Sequence, residues 1–190
     1  MKKLNICIDI DGTVTDPYYF IEYFNDHFNK DLKEEDMNTC KLEDLYDTTL
    51  EEILEFYTHK GYDIHLSANP LDSSSEIIHE LNKKHNLYFV TARNEGLKDV
   101  TEEWMRVNNF PKIKVYYLGG YYKVDKAREL DCDLFIEDNP QNTEDLAKSG
   151  IQVLLMDANY NKDIKLENVT RVMNWNEIEN IIDTMSLSKS

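Results

Sequence analysis

Asp9 and Asp11 stand one residue apart where a short apolar run ends, within residues 5–19, NICIDIDGTVTDPYY. Two carboxylates held that close do not both stay ionised without cost. A cation, or a reaction that consumes the repulsion, is the expected compensation. Polar groups close other apolar runs in the same way. Thr91, Ala92 and Arg93 follow the run 87–90, and Glu137, Asp138 and Asn139 follow the run 134–136. Lys126, with Lys123 one turn before it, lies on the helix expected to lead into the 134–136 strand.

Ligands of open parallel sheets bind beyond the carboxyl ends of the strands. With these runs as such strands, four carboxylates, a hydroxyl and a cation converge on one edge. That inventory suits magnesium and phosphate: hard oxygen ligands for the metal, and a lysine and a threonine for phosphoryl oxygens. An Asp-x-Asp pair by itself also occurs in calcium loops, metal-dependent glycosyltransferases and ordinary surface turns. Its place after one strand, with Thr91 and the Glu137, Asp138 pair after two others, is what marks a candidate active site.

The elements that must position these groups are five short runs rich in branched and aromatic residues: 4–8, 87–90, 115–118, 134–136 and 153–156. Each is followed by polar or turn residues, as buried strands are. Helical patterns alternate with them. Leu97, Val100, Trp104 and Val107 recur at helical spacing, and Gly150 offers a helix stop. Residues 174–185 supply a last amphipathic helix, followed by a frayed tail at 186–190. Ser73 with Glu76, and Thr48 with Glu51, have capping-box spacing. Strands alternating with helices predict a parallel sheet covered on both faces. The expected fold is therefore α/β, a three-layer Rossmann-like core with a parallel five-stranded sheet. Residues 16–70 break the rhythm, with Phe20, Phe24 and Phe28 on one helical face and Leu50, Ile53, Leu54 and Tyr57 on another. They are read as a small helical cap inserted after the first strand, leaving residues 1–15 and 71–190 as the core domain.

Composition bounds the partners. A hydrophobic fraction of 41% in 190 residues suffices for a real core. The formal net charge of −16 excludes a nucleic acid polymer or an anionic membrane as the natural partner. It also means that any phosphate site needs local positive charge. The three cysteines, Cys7, Cys40 and Cys132, are odd in number and lack metal-type spacing, so they read as thiols of a reducing compartment. No run approaches a membrane span and the start does not read as a signal peptide, so a cytoplasmic location is expected.

The order of these pieces resembles the haloacid dehalogenase-like phosphatase superfamily. The residues that carry the resemblance are DIDGT at 9–13, VTAR at 90–93, Lys126, and IEDN at 136–139. The insertion between the first two motifs matches that superfamily's first cap position. Within it, the cap size and the DLFIEDNPQN stretch look most like the 5′(3′)-deoxyribonucleotidase group and its bacterial relatives. The resemblance implies a Mg²⁺-dependent phosphomonoesterase acting through an aspartyl-phosphate. Asp9 would be the nucleophile. Asp11 would be general acid and then general base, its pKa raised by the crowding of Asp9. The metal would be held by Asp9, the backbone carbonyl of Asp11, and Asp138, with Glu137 as an outer or alternate ligand. Thr91 and Lys126 would hold phosphoryl oxygens, with Arg93 a further phosphate-binding candidate, and Gly12 would let the backbone turn sharply beside the phosphate.

Several choices stay open at this stage. Lys126 is preferred to Lys123 because its distance from the acidic pair is closer to the group's pattern. Asp16 and Arg93 could instead form a structural pair, and Asn139 could cap the turn before Pro140. Tyr18 and Tyr19 are candidates to stack on a nucleobase, whereas Phe20, Phe24 and Phe28 are read as the cap's own core. The position after Asp16, where the group places an aromatic residue, is Pro17 here, and the second motif reads TAR. The expected partner is a small phosphorylated substrate, a nucleoside monophosphate first, and a homodimer is left open. The rivals are a phosphatase for a sugar phosphate or other metabolite, and a receiver-type signalling module. The latter keeps its phosphorylated aspartate two strands after its acidic pair and carries no inserted cap.

Overall fold

Short strands that are apolar on both sides can be satisfied only with helices on each face. The computed structural model of the protein describes residues 2–120 and 122–188 and contains that arrangement. In chain order the elements are β1 (Asn5–Ile8), α1 (Ile21–Phe28), α2 (Leu42–Tyr46), α3 (Leu50–Ser67), α4 (Ser74–Lys84) and β2 (Asn86–Thr91). They continue with α5 (Lys98–Val107), β3 (Lys114–Tyr117), α6 (Val124–Glu129), β4 (Leu134–Glu137), α7 (Pro140–Lys148), β5 (Gln152–Met156), β6 (Val169–Val172) and α8 (Trp175–Ser188). The sheet runs β3-β2-β1-β4-β5-β6 with every neighbouring pair parallel. Because side chains alternate along a strand, Ile6 and Ile8 join one apolar layer with Ile78, Trp104 and Ile178. Cys7 joins the other, with Phe135, Ala127 and Leu146.

Strand order turns at β1, which lies between β2 and β4. The carboxyl ends of those three strands therefore open one crevice. Asp9 follows β1, Thr91 ends β2 and Glu137 ends β4. The register sets these ends level, with Ile8 paired to Phe89 on one side and to Ile136 on the other.

Residues 16–70 leave and re-enter side by side. Thr15 and Pro70 form an antiparallel bridge, the Asp16 amide donates to Asn69 O at 2.8 Å, and the Leu71 amide donates to Val14 O at 2.8 Å. Helices α1–α3 between them share an apolar cluster of their own, built from Phe24, Tyr46, Ile53, Phe56 and Ile64 with Phe20 and Phe28 packed against it.

The structure departs from expectation in five places. A sixth strand, β6, adds to the five, because VTRV is a short, half-buried edge segment with an arginine in it and gives no clear apolar run. The tail is not frayed up to residue 188: α8 extends that far, Ser186 is buried, and its carbonyl accepts from the Lys2 amide at 3.1 Å. Lys189 and Ser190 lie outside the described residues. Ser73 sits at φ 62°, a left-handed conformation from which its hydroxyl makes no cap bond, so no box forms with Glu76. The other box is displaced by one residue, Thr49 and Glu52 exchanging the reciprocal bonds at the start of α3. On α3 the residues turned into the cluster are Ile53, Phe56 and Ile64, while Leu50 and Leu54 stay exposed.

The fully buried Trp175 donates its indole N–H to Thr13 O at 3.0 Å, tying α8 to the turn after β1. Trp175→Phe strands that carbonyl, and we expect it to cost about 1–3 kcal/mol, read as a lower urea midpoint with an unchanged m value.

Candidate active site

The turn after β1 is shaped by its glycine. Gly12 has φ +74°, and a Cβ there would stand 2.7 Å from Asp138 Cγ and 2.8 Å from Tyr160 Oη. No side chain fits, so the backbone approaches the β4 carboxylate as only glycine allows. Thr13 then donates from Oγ1 to Asp138 Oδ1 at 3.0 Å. Tyr160, on the turn after β5, donates to Asp138 Oδ2.

Asp9, Glu137 and Asp138 offer carboxylate oxygens within 4.8 Å of one another, and all three are buried. One cation enters this group, and it is Lys123. Its Nζ stands 2.7 Å from Asp9 Oδ1 and donates to Glu137 Oε2 at 2.9 Å. The expectation for Lys126 is corrected here. α6 begins at Val124, so Lys123 is the residue before the helix and its side chain turns into the core, 1% exposed. Lys126 is on the helix itself, pairs with Glu129 and lies over the Tyr116 ring. The two lysines therefore do not share a face, as a helix spanning both would require.

Glu137 is fully satisfied: its Oε1 accepts from the Asn139 amide and from Asn142 Nδ2, each at 3.1 Å. Asn139 also caps α7, accepting from the Gln141 and Asn142 amides with Pro140 at the first helical position. Asp9 is less well served. Its Oδ1 is buried and has no aligned hydrogen-bond donor, only the lysine charge beside it. Burial and then the Glu137 charge push the Asp9 carboxyl up to about 8, against the pull of Lys123. Asp138 is pushed up to about 7 by burial and then by Asp9. Three buried carboxylates, one lysine and an orphaned oxygen are a donor set that a hard divalent cation fits.

Asp11 is placed quite differently. It does not join the trio but turns to Arg93, whose Nε donates to Oδ2 at 2.9 Å and Nη2 to Oδ1 at 2.5 Å. Burial alone would raise this carboxyl, but the guanidinium outweighs it and holds Asp11 well below the usual carboxylate range. The expected raising of Asp11 by Asp9 is thus overturned: in this arrangement Asp9 is the perturbed carboxyl and Asp11 the stabilised one. Arg93 is committed to Asp11 and, through Nη1, to Thr101 Oγ1 at 2.9 Å, so it is the Asp11 pair, not Asp16, that uses it. Asp16 accepts from the Tyr18 amide. Thr91 is buried at the end of β2, and its hydroxyl oxygen accepts from the Arg93 amide at 3.1 Å.

A cavity of about 730 Å³ opens over Asp9, Asp11 and Asp138. Its far walls are apolar and come largely from the insertion, with Phe20, Met37, Leu50, Leu54 and Tyr57, and from Leu97 and Val100 of the core. Arg93 is the one Lys or Arg among the described residues that line it. Tyr19 lines the cavity and donates to Asp11 Oδ1 at 2.9 Å. Tyr18 does not line it; its hydroxyl accepts from the Asn159 amide at 2.8 Å and its ring meets Tyr160 edge-on. Sequence reasoning missed Tyr160, Asn142 and His65. No motif marks Tyr160, and the histidines are scattered, whereas Asn142 follows Asn139 by one helical turn at a capped start and was the one that spacing could have found.

The profile of the family described as "5' nucleotidase, deoxy (Pyrimidine), cytosolic type C protein" matches residues 2–188. A nucleotidase of Clostridium acetobutylicum is 39% identical over 185 residues, covering 97% of this chain and 96% of the relative. A 5′(3′)-deoxyribonucleotidase of Bacillus subtilis is 32% identical over 186 residues, covering 94% and 98%. Among solved structures, a haloacid dehalogenase-like protein of Agrobacterium tumefaciens superposes with a TM-score of 0.69 at 13% identity, over 97% of this chain and 100% of that one. That likeness establishes a common fold.

Two outcomes follow from the charge arrangement. Asp9 and Asp138 bind a proton in the folded protein at pH values where an unfolded carboxylate has lost it. Unfolding therefore releases protons, and without divalent cation stability is expected to fall as pH rises from about 5 to about 8. Melting in EDTA across that range checks this, and added Mg²⁺ should raise the midpoint most at the upper end. Lys123→Met leaves the carboxylates without their cation and should cost about 3–5 kcal/mol in EDTA, while Lys126→Met should stay within about 0.5 kcal/mol, both read by urea unfolding.

Proposed function

Because the chain belongs to the 5′ nucleotidase, deoxy (pyrimidine), cytosolic type C family, and is thus a phosphoric monoester hydrolase, we propose that it hydrolyses nucleoside monophosphates, deoxynucleotides foremost. The single observation that carries this is the lysine-bridged carboxylate trio facing Asp11 at the floor of an apolar, aromatic-lined cavity. A base and sugar suit such walls, and Lys123 and Arg93, with a divalent cation on the carboxylates, would offset the charge of one phosphate.

In this reading Asp9 attacks phosphorus through a carboxylate oxygen, forming an aspartyl-phosphate as the bond to the ester oxygen breaks. The departing oxygen takes a proton from Asp11. Water then attacks phosphorus, Asp11 recovers a proton from it, and Asp9 is released with inorganic phosphate. Asp11 must carry a proton for the first step, which Arg93 opposes. A phosphate dianion beside the pair competes for the same guanidinium and weakens that opposition. Lys123 and the Thr91 hydroxyl serve the phosphoryl oxygens, and Lys123 keeps Asp9 partly compensated. Asp9 and Asp138 would hold Mg²⁺, with Glu137 behind them, and the cation when bound neutralises carboxylate and phosphoryl charge. Residues 16–70 act as the cap that reads the organic part. No helix among the described residues is long and apolar enough to cross a membrane.

The reading is tested by phosphate release from deoxy- and ribonucleoside monophosphates and sugar phosphates, with Mg²⁺ and with EDTA. We expect Mg²⁺-dependent turnover that is fastest on a deoxynucleotide and falls by about 10⁴-fold or more in Asp9→Asn. A sugar phosphate at the head of the ranking would reject the nucleotide assignment.

A further inference from the structure

Asp11 is gripped from two sides. Arg93 holds it from the core, on a fork that is itself anchored to Thr101. From the insertion, Tyr19 donates to Oδ1 at 2.9 Å, and Tyr19 Oη stands 2.9 Å from His65 Nδ1. A phenol has one proton, and Tyr19 spends it on Asp11, so His65 is the donor in that second bond. His65 is 6% exposed and sits in the last turn of α3. Its ring stacks on Tyr57, with centroids 6.0 Å apart and planes at 16°. Tyr57 in turn lines the cavity.

We propose that His65 and Tyr19 are positioning residues for Asp11, forming a relay from Tyr57 at the substrate wall through His65 and Tyr19 to the carboxyl that serves the leaving oxygen. This rests on the reading of Asp11 as the general acid. The relay makes that group's placement depend on α3, and α3 also supplies Ile53, Leu54 and Thr58 to the same cavity. Contacts made by the organic part of a substrate therefore reach the acid through a helix, two rings and two hydrogen bonds. Binding energy remote from phosphorus is then expressed in turnover as well as in affinity.

The relay differs from a structural role in one measurable way. A nucleoside alkoxide leaves only with a proton, whereas p-nitrophenolate leaves unaided, so loss of acid positioning should divide these substrates. Tyr19→Phe keeps the ring and removes the hydroxyl. We expect its kcat/KM on a deoxynucleoside 5′-monophosphate, which reports the steps up to departure of the nucleoside and not the later hydrolysis that Asp11 also serves, to fall by about 10-fold or more, toward the ~10²–10⁴-fold reach of general acid catalysis. Its kcat/KM on p-nitrophenyl phosphate should stay within about 3-fold of the parent. His65→Leu should show the same division, and His65→Asn, which restores a donor near the Nδ1 position, should recover most of the nucleotide rate. Equal losses on both substrates, or no loss on either, would overturn the relay. Asp11→Asn, read in kcat/KM so that its second role in hydrolysis does not enter, separates the two levels. If it divides the substrates and Tyr19→Phe does not, only the relay fails; if it does not divide them, the acid assignment fails and the relay with it. Melting midpoints of the variants confirm that each is folded when assayed.

Discussion

Three carboxylates confined within 4.8 Å, with one lysine to offset them, are the constraint on which the rest of this structure depends. Such a group is costly in any fold, since burial penalises each charge and each charge penalises the others. It persists because its members are fixed by the most rigid parts of the molecule. Asp9 follows the central strand, Glu137 ends the neighbouring one, and the apolar layers on both faces leave those strands no freedom to relax. Gly12, Thr13 and Tyr160 crowd and orient Asp138 from the other side. The repulsion is thus stored against a well-packed sheet and is available to whatever cation and phosphoryl group enter.

The same constraint separates the two aspartates of the first motif. They are alike in chemistry and two positions apart, yet Asp9 is raised to about 8 and Asp11 is held low. Strand alternation does not by itself set them apart, since residues two apart share a face. The turn at Gly12 does, sending Asp11 toward Arg93 and the insertion while Asp9 stays over β4. Environment rather than residue type sets the two apart, the condition under which paired carboxyls can divide different tasks between them.

Much of this was legible in the sequence, for physical reasons that can be named. Residues ending apolar runs must lie at strand ends, so spacing alone brings Asp9, Thr91, Glu137 and Asp138 to one edge. Side-chain direction is another matter. Whether Lys123 or Lys126 enters the core depends on where α6 begins, and a one-residue shift of a helix start turns a buried lysine into an exposed one. The partner of Asp11 was equally hidden. Arg93 was visible as a candidate, but its choice of a carboxylate over a phosphate depends on a fork geometry that only packing against Thr101 fixes. β6 escaped because an edge strand of four residues needs no continuous apolar run. Tyr160 lies in a turn with no periodic signal, and His65, though on a helix that apolar spacing announces, has no partner at ligand spacing to mark it.

What remains is how a chain with a net charge of −16 admits an anion at all. Long-range attraction is not available, and a field of that sign slows the approach of any phosphate. The cavity answers with division of labour. Its floor sets two cations, Lys123 against Asp9 and Arg93 against Asp11, among four carboxylates, so a bound divalent cation would supply the remaining positive charge that an anion needs where short-range electrostatics count most. Its walls are apolar and drawn mainly from α3 and the segment around Phe20. An anion without an organic part would meet the repulsive field and gain only the floor. One that carries a base and sugar gains the walls as well, and burial of that apolar surface is insensitive to charge. On the proposed reading, selectivity for phosphate monoesters of some size over free phosphate follows from the balance of the two and would reside in the insertion, which is built on a cluster of its own apart from the sheet edge.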